Sequence, residues 1–477
     1  MDVEFLSRLQ FAVTITFHYI YPPLSIGLGL ILVIMESMWL KTGSVRYHNM
    51  ARFWTRIFAL TFVLGVASGI VMEFEFGTNW ATYSRFVGDI FGSALAAEGI
   101  FAFFLESGFL AILVFGWDKV GPKIHFFSTC MVCLGSHFSA IWIVVANSWM
   151  QTPAGYHLEK NGEALPQGYV LKAEDFDSVR AVVDDFWSMV FNPSSIDRLT
   201  HVIIACWLTG AFLVMSISAY YLLRGRHIGF ATTSLKVGLA VGCIAGILQL
   251  ISADSTSRGV AENQPVKLAA IEGLFTTQAN APLSLLGYVD MKEEKTHSIA
   301  VPGLLSFLIY RNTDGVVKGL DSYPQADWPK VSALFQLYRV MIAMGILMIC
   351  LSVVGVIMWR RKNLFNLRSK KTRLFLWLLV PSALFPQLAN IAGWYTAEMG
   401  RQPWIVYNLM RTSEGVSRAI VANQVLFSMI MFGLIYILLF AMFIFLLSSK
   451  IHKGPSEREE SEYSLEQQHV VISNQDC

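Results

Sequence analysis

The chain has 477 residues, of which 54% are hydrophobic and only 15% charged, with a formal net charge of +2 and a mean hydropathy of +0.51. An average soluble domain is about one-quarter charged, so this composition excludes a soluble globular protein and leaves an integral membrane protein. The net charge is small, and the cations concentrate in inner membrane connections where positive-inside bias explains them, which gives no reason to expect a nucleic-acid partner.

No cleavable signal peptide is expected, because "MDVEFLSRLQ" is mixed in charge and the apolar run after it is too long for a signal core. Runs of about 18 or more apolar residues read as spanning helices. Nine are expected, over residues 11–40, 57–72, 92–115, 126–149, 199–222, 237–251, 332–359, 374–394 and 421–447. The second and sixth are short and should extend into their polar flanks. At this hydrophobicity only helices satisfy their own backbone in lipid, so the fold class is an all-α membrane bundle.

The chain divides accordingly into helices one to six over 1–251, with an outer loop at about 150–198, a long outer loop over 252–331, helices seven to nine over 332–448, and a polar cytoplasmic tail over 449–477. Lys and Arg concentrate in the first, third, fifth and seventh connections, the last of which reads "RRKNLFNLRSKKTR". Positive charge marks the inner side, which puts the amino terminus outside and the carboxyl terminus inside. A loop as long as 252–331 is too long for a plain link and points to function there.

Of the six cysteines, five lie in apolar runs. Cys130 and Cys133 form a C-x-x-C, but Leu134 stands where covalent heme attachment needs His, so they read as a structural pair. No internal repeat, Walker motif, dinucleotide fingerprint or H-E-x-x-H is present.

Ionisable residues inside spans are costly and mark function by default. His18 sits about seven residues into the first span, roughly 10 Å deep at 1.5 Å per residue. Glu98 lies at a similar depth in the third span and Glu106 near mid-membrane. His201 opens the fifth span, Arg339 and Met341 lie in the outer half of the seventh, and the eighth reaches Glu398 and Arg401 at its outer end. Five spans thus bring these groups to one outer layer. Glu98 and Glu106, eight residues apart, lie near one helix face and read as a proton path. The bland readings are a hydrogen-bonded packing His for His137, core filler for any one methionine and a snorkelling interface anchor for Arg401. On these residues alone a redox cofactor site, a proton path and a transport site all stay open.

The chain resembles subunit I of the cytochrome bd-type quinol oxidases. The resemblance rests on "LSRLQFAVTITFHYIYPPLSIGLG", "MEFEFGTNW", "AAEGIFAFFLES", "WIVVANSWMQTP", "KLAAIEGLF" and "GWYTAEMGRQPW", in family order over nearly the whole chain. It implies a terminal respiratory oxidase that oxidises quinol at the outer face, reduces dioxygen to water with protons from the cytoplasm, and so generates a membrane potential without pumping. It implies two hemes b, one low-spin and one high-spin, with heme d or a third heme b. His18 is implied as a ligand of the high-spin heme expected to be heme d, Glu398 as a ligand of the high-spin heme b, and His201 with Met341 as the pair on the low-spin heme b. Six-coordinate His/Met ligation favours electron transfer and raises the potential. Arg339 and Arg401 are implied as cations beside the low-spin heme and the Glu398 site, where a guanidinium suits propionates or a ligand carboxylate.

The 252–331 loop resembles the family's quinol-binding Q-loop, in its short form, since only about sixty residues separate Glu272 from the seventh span. Lys267 and Glu272 are implied in quinol oxidation, where a carboxylate takes a proton and an ammonium offsets developing negative charge. Glu98 and Glu106 are implied in proton delivery, with Ser107 and Ser139 expected to help carry a water chain. The implied partners are subunit II of the oxidase, a small single-span accessory subunit, ubiquinol or menaquinol, and dioxygen, in a bacterial cytoplasmic membrane. Two alternatives are a non-redox proton channel or transporter, which needs no His201/Met341 pair, and a heme b quinol dehydrogenase, which needs no open high-spin site.

Overall fold

Proline sets the first departure from the expected spans. The computed structural model describes residues 2–455, so the expected tail over 449–477 lies outside the described residues from 456 onward. In place of one helix over 11–40 there are two, α1 (Val3–His18) and α2 (Tyr21–Thr42). Pro22 and Pro23 fall in the first turn of α2, where proline starts a helix well but cannot continue one, lacking an N–H and crowding the carbonyl four residues back. His18 is therefore the last residue of α1, at a break in the backbone. Irregular backbone at membrane depth is tolerated only against protein or a cavity.

α3 (Val45–Thr78) extends the second expected span at both ends, and the short α4 (Ala81–Phe86) follows. The third expected span is divided. α5 (Gly88–Glu98) passes into a π-helical stretch, Gly99–Phe103, and then α6 (Phe104–Phe115). Eight residues on a regular helix leave roughly 80° between Glu98 and Glu106. The wider π turn between them takes up that mismatch, a common use of π-bulges at functional sites.

α7 (Pro122–Gln151) leads into a small sheet of β1 (Tyr156–Lys160), β2 (Glu163–Ala164) and β3 (Val179–Val183), antiparallel in the order β2-β1-β3, and α8 (Phe186–Val190). α9 (Ser195–Arg224) and α10 (Ile228–Asn263) follow. α10 runs past its expected end at 251, so the long loop starts on a helix. The loop itself holds α11 (Pro265–Glu272), the antiparallel hairpin β4 (Leu283–Asp290) and β5 (Lys295–Val301), and α12 (Leu304–Tyr310).

α13 (Val331–Arg360) returns, then α14 (Lys370–Leu379) joins α15 (Leu384–Met399) through a 3-10 turn at Pro381. A two-stranded ribbon, β6 (Trp404–Val406) with β7 (Met410–Arg411), and α16 (Thr412–Gly415) precede α17 (Ala422–Lys453). Among the described residues eight helical runs are long and apolar enough to cross a membrane. The divided α5–α6 run occupies the place of the other expected span.

α9 is the centre of the bundle, with 78% of its apolar window buried, against 11% for α17 at the periphery. α2 and α9 cross at Gly27 and Gly210, where an added Cβ would lie 2.1 Å from the Cys206 carbonyl or 2.4 Å from the Gly27 backbone. Small residues at such crossings let membrane helices approach closely where water supplies no driving force. This contact fixes α2 against the helix that carries His201.

Candidate functional site

A cavity of about 1540 Å³ lies within the bundle, lined by His18, Glu98, Glu106, His201, Lys267, Met341, Glu398 and Arg401 among others. A single small-molecule pocket holds about 300–1,000 Å³, so this space exceeds one ligand. Eight of the ten residues singled out in the sequence meet here. Arg339 and Glu272 do not line it.

Each nitrogen or sulfur donor is set by a neighbour. The Nδ1 of His18 is 2.9 Å from the Ser68 hydroxyl, which fixes the ring and leaves Nε2 free to bind. The ring nitrogens of His201 lie 3.2 and 3.0 Å from the Gln249 amide nitrogen, and Ser252 is 3.3 Å from Nδ1. The buried Oε1 of Gln249 has no partner. Met341 lies across from Gly393, where a Cβ would sit 2.9 Å from its sulfur, so the glycine is what leaves room for the thioether. His137, by contrast, accepts from the Trp207 indole at 3.0 Å and donates to the Cys133 carbonyl at 2.7 Å. It is a satisfied packing histidine.

Around Glu398 the structure collects residues that sequence reasoning passed over. Its Oε1 accepts from Asn147 at 3.0 Å and from Gln151 at 3.4 Å, and its Oε2 pairs with Arg401. Arg198 donates to the Asn147 side chain. Gln151 also accepts from Lys267 at 2.6 Å, and Gln264 accepts from the same ammonium at 2.5 Å. Burial, and then Arg198 and Arg401 beside it, push Lys267 well below the usual lysine value. Two guanidinium groups and the Lys267 amine thus surround one carboxylate, and the Nη1 of Arg401 is buried without a partner. Such a surplus is costly unless further anionic oxygens complete it. Asn147 and Gln151 stand four apart in "WIVVANSWMQTP", on one helix face, and that spacing was the available signal.

The carboxylate pair meets α7. Ser139 donates to Glu98 at 2.5 Å, and Glu106 is buried beside Gly135, whose added Cβ would lie 2.4 Å from its Cγ. Ser136, on the next residue of α7, lines the same cavity. Ser107 turns away and donates to its own helix at Phe104, so Ser136 and Ser139 are the hydroxyls on this face.

Glu272 and Arg339 pair with each other instead, at 2.6 Å, with side chains only 2% and 7% exposed. Arg339 also donates to the Ser284 carbonyl at 2.8 Å and to that of Ile271, and lies 3.9 Å over the Phe335 ring. It pins α11 and β4 to α13. Burial pushes the Glu272 carboxyl up, and Arg339 pulls it back down. A two-residue offset from Met341 on α13 explains why one side chain enters the cavity and the other holds the loop.

Among the described residues no three or more His, Cys, Asp or Glu cluster to enclose a bare metal ion. The donors are single and dispersed around a large cavity.

Comparisons with known proteins converge. The family model described as Cytochrome bd terminal oxidase subunit I matches residues 6–455. Cytochrome bd ubiquinol oxidase subunit 1 of Bacillus subtilis (strain 168) is 38% identical, over 94% of this chain and 93% of that protein. Cytochrome bd-II ubiquinol oxidase subunit 1 of Escherichia coli (strain K12) is 34% identical, over 98% and 99%. The structure of bd oxidase from Geobacillus thermodenitrificans superposes with a TM-score of 0.84 at 29% identity, covering 95% of this chain and 99% of that one.

Proposed function

The chain belongs to the cytochrome bd terminal oxidase subunit I family, and from that premise we propose which of its residues carry the oxidase reaction. It is the subunit of a bacterial, heme-containing, membrane-embedded quinol oxidase that works with a second subunit. The observation that carries the residue assignment is the one cavity lined by His18, His201, Met341 and Glu398 with an excess of cations beside it.

The residues present fit heme. Single, dispersed His, Met and Glu side chains suit an iron that arrives in a macrocycle rather than as a bare ion, and the unpartnered Arg401 Nη1 beside Arg198 and Lys267 would suit propionate oxygens. His201 and Met341 would hold a low-spin heme b, Glu398 a high-spin heme b, and His18 the third heme, d or b. When bound, these groups supply one-electron transfer and the binding of dioxygen.

The remaining work falls to the chain. Ser68 orients His18, and Asn147 and Gln151 orient Glu398. Lys267 faces the cavity from α11 and offers a counter-charge to quinol oxygen as it loses protons, while Glu272, close by on the same short helix, takes a proton. Burial lowers the proton affinity of Lys267, so its charge is held only when anionic oxygen develops beside it, and burial leaves Glu272 ready to accept. Glu106, Ser136, Ser139 and Glu98 form a polar file where α5 and α6 pack on α7, which can move protons toward the cavity. The basic connections at one end of the bundle support an amino terminus outside and a carboxyl terminus inside. That orientation has quinol protons leave outside and the protons of water arrive from the cytoplasm. Ubiquinol or menaquinol as donor, a small accessory subunit and a cytoplasmic-membrane location belong to the same reading.

The test is heme content of the complex purified with its second subunit. His201→Ala and Glu398→Ala are each expected to lose the optical signature of one heme while the other bands remain. Full content with an unshifted spectrum in both would overturn the ligand assignment.

A further inference from the structure

At the end of the bundle bearing the basic connections, a titratable pair is buried that neither the ligand set nor the carboxylate file uses. Glu36 on α2 is fully buried, and His125, in the first turn of α7, is 1% exposed. The Nδ1 of His125 is 3.0 Å from Glu36 Oε2, and its Nε2 is 3.2 Å from the carbonyl oxygen of Leu113 on α6. Thr129 donates to Glu36 Oε1 at 2.7 Å, and the Trp117 ring caps the imidazole at 3.9 Å between centroids.

The hydrogen-bond inventory of this pair is specific. A carbonyl only accepts, so Nε2 carries a hydrogen. One further proton then sits between Nδ1 and Oε2, and it can belong to either. Imidazolium with carboxylate and imidazole with carboxylic acid both leave every buried donor and acceptor paired. Removing that proton sets a lone pair of Nδ1 against an anionic oxygen, an arrangement of two buried acceptors that draws in a replacement. The pair is thus built to hold one proton and to reload after giving it up.

Its position matches that role. His125, Thr129, Ser136 and Ser139 follow one another at four, seven and three residues along α7, one stripe of the helix. The same α6–α7 seam carries Leu113 opposite His125 at one end and Glu106 beside Ser136 further in. Thr129 and Ser136 are separated by about 10 Å of helix rise, a distance that roughly three water-mediated hydrogen bonds cover. Of the titratable groups around the pair, Cys130 on α7 interacts with Glu36, His48 packs against the Trp117 ring at 5.2 Å, and Arg52 pairs with Asp118, the residue after Trp117, at 2.9 Å.

We propose that Glu36 and His125 form the proton intake of this subunit, taking a proton from the basic end of the bundle and passing it along the α6–α7 seam to Glu106. The proton arrives at the shared Nδ1/Oε2 position from bulk water and leaves through Thr129 toward Ser136 and Glu106, with no other bond changed. This deepens, and rests on, the reading of Glu98 and Glu106 as the proton file.

The experiment uses the complex with its second subunit and three readouts: proton uptake after an oxygen pulse, quinol-driven oxygen uptake, and anaerobic reduction by quinol followed optically. Glu36→Gln keeps the hydrogen bonds to Thr129 and His125 but replaces the carboxyl group with an amide that cannot pass its proton on. It is expected to slow proton uptake and turnover at least tenfold, with anaerobic reduction unchanged and Glu36→Asp restoring most of the rate. Where Glu36→Gln does not assemble, His125→Gln, which can still bridge both partners, is held to the same criteria. Parental proton uptake in an intact variant overturns the proposal, as does an equal loss in anaerobic reduction, which marks a merely structural role. Glu106→Gln separates the two levels. If it is slow while Glu36→Gln is normal, only the intake fails. If it also takes up protons normally, the Glu98/Glu106 file fails with it.

Discussion

Replacing Arg339 by leucine tests what holds the long 252–331 loop to the bundle. Arg339 reaches from α13 to the Glu272 carboxylate and to two carbonyls, those of Ile271 and Ser284, with its side chain 7% exposed. Removing one partner of a buried pair leaves the other charge unpaired and costs about 3–5 kcal/mol. At 1.4 kcal/mol per tenfold, that raises the open fraction of α11 and β4 roughly 150- to 4,000-fold. Amide hydrogen exchange across 265–290 reads this opening directly.

The effect has a defined pH dependence. Burial raises the Glu272 carboxyl, and the deletion removes the cation that pulls it back. The docked loop then binds more protons than the open one, so the defect is largest at high pH and shrinks as pH falls toward the unfolded carboxylate value of about 4.3. Glu272→Gln should be milder, because Arg339 keeps its two carbonyl acceptors. Arg339→Leu with Glu272→Leu should recover most of the loss. Less than about tenfold faster exchange in Arg339→Leu would refute the claim that this pair pins the loop.

Other outcomes follow from the same geometry. Gln151→Leu deprives both Lys267 and Glu398 of a partner, at about 1–3 kcal/mol. Quinol-driven kcat/KM should fall roughly 5- to 150-fold with heme content retained, and an unchanged value would remove Gln151 from the site. Asp175 is held at about 2 by the Lys160 ammonium, the Lys172 backbone and the Tyr169 hydroxyl. Its contribution is present above the unfolded value near 3.9 and is lost as pH falls through about 2. Pepsin nicking of the 161–178 segment should therefore rise steeply between pH 4 and pH 2, and Asp175→Asn should flatten that rise.

How much of this was legible depended on the physical signal each feature leaves. Helices such as α9 and α13 are long apolar runs and were read directly. The break after His18 was written in Pro22 and Pro23, but the continuous hydropathy across 11–40 masked it. The π stretch after Glu98 has no composition of its own, and only the awkward eight-residue spacing to Glu106 hinted at it. His18, His201 and Glu398 stood out because charge and imidazole are rare in lipid, whereas Met341 is one of 19 methionines and was singled out only by resemblance. Asn147, Gln151 and Gln249 were missed because uncharged amides in an apolar run leave little hydropathy trace. Glu272 and Arg339 were expected separately, and their pairing depends on how the loop folds back on α13, which no local pattern encodes. The same holds for Glu36 and His125, 89 residues apart in sequence.

The measurement that bears most directly on the cavity lined by His201 and Met341 is the reduced-minus-oxidised optical spectrum of the complex carrying Met341→Leu. The thioether opposite Gly393 is proposed, together with His201, to hold the low-spin heme b. Its loss should convert the low-spin heme b signal to high spin and leave the signals assigned to His18 and Glu398 in place. A spectrum identical to that of the parent complex would contradict the ligand set on which the account rests.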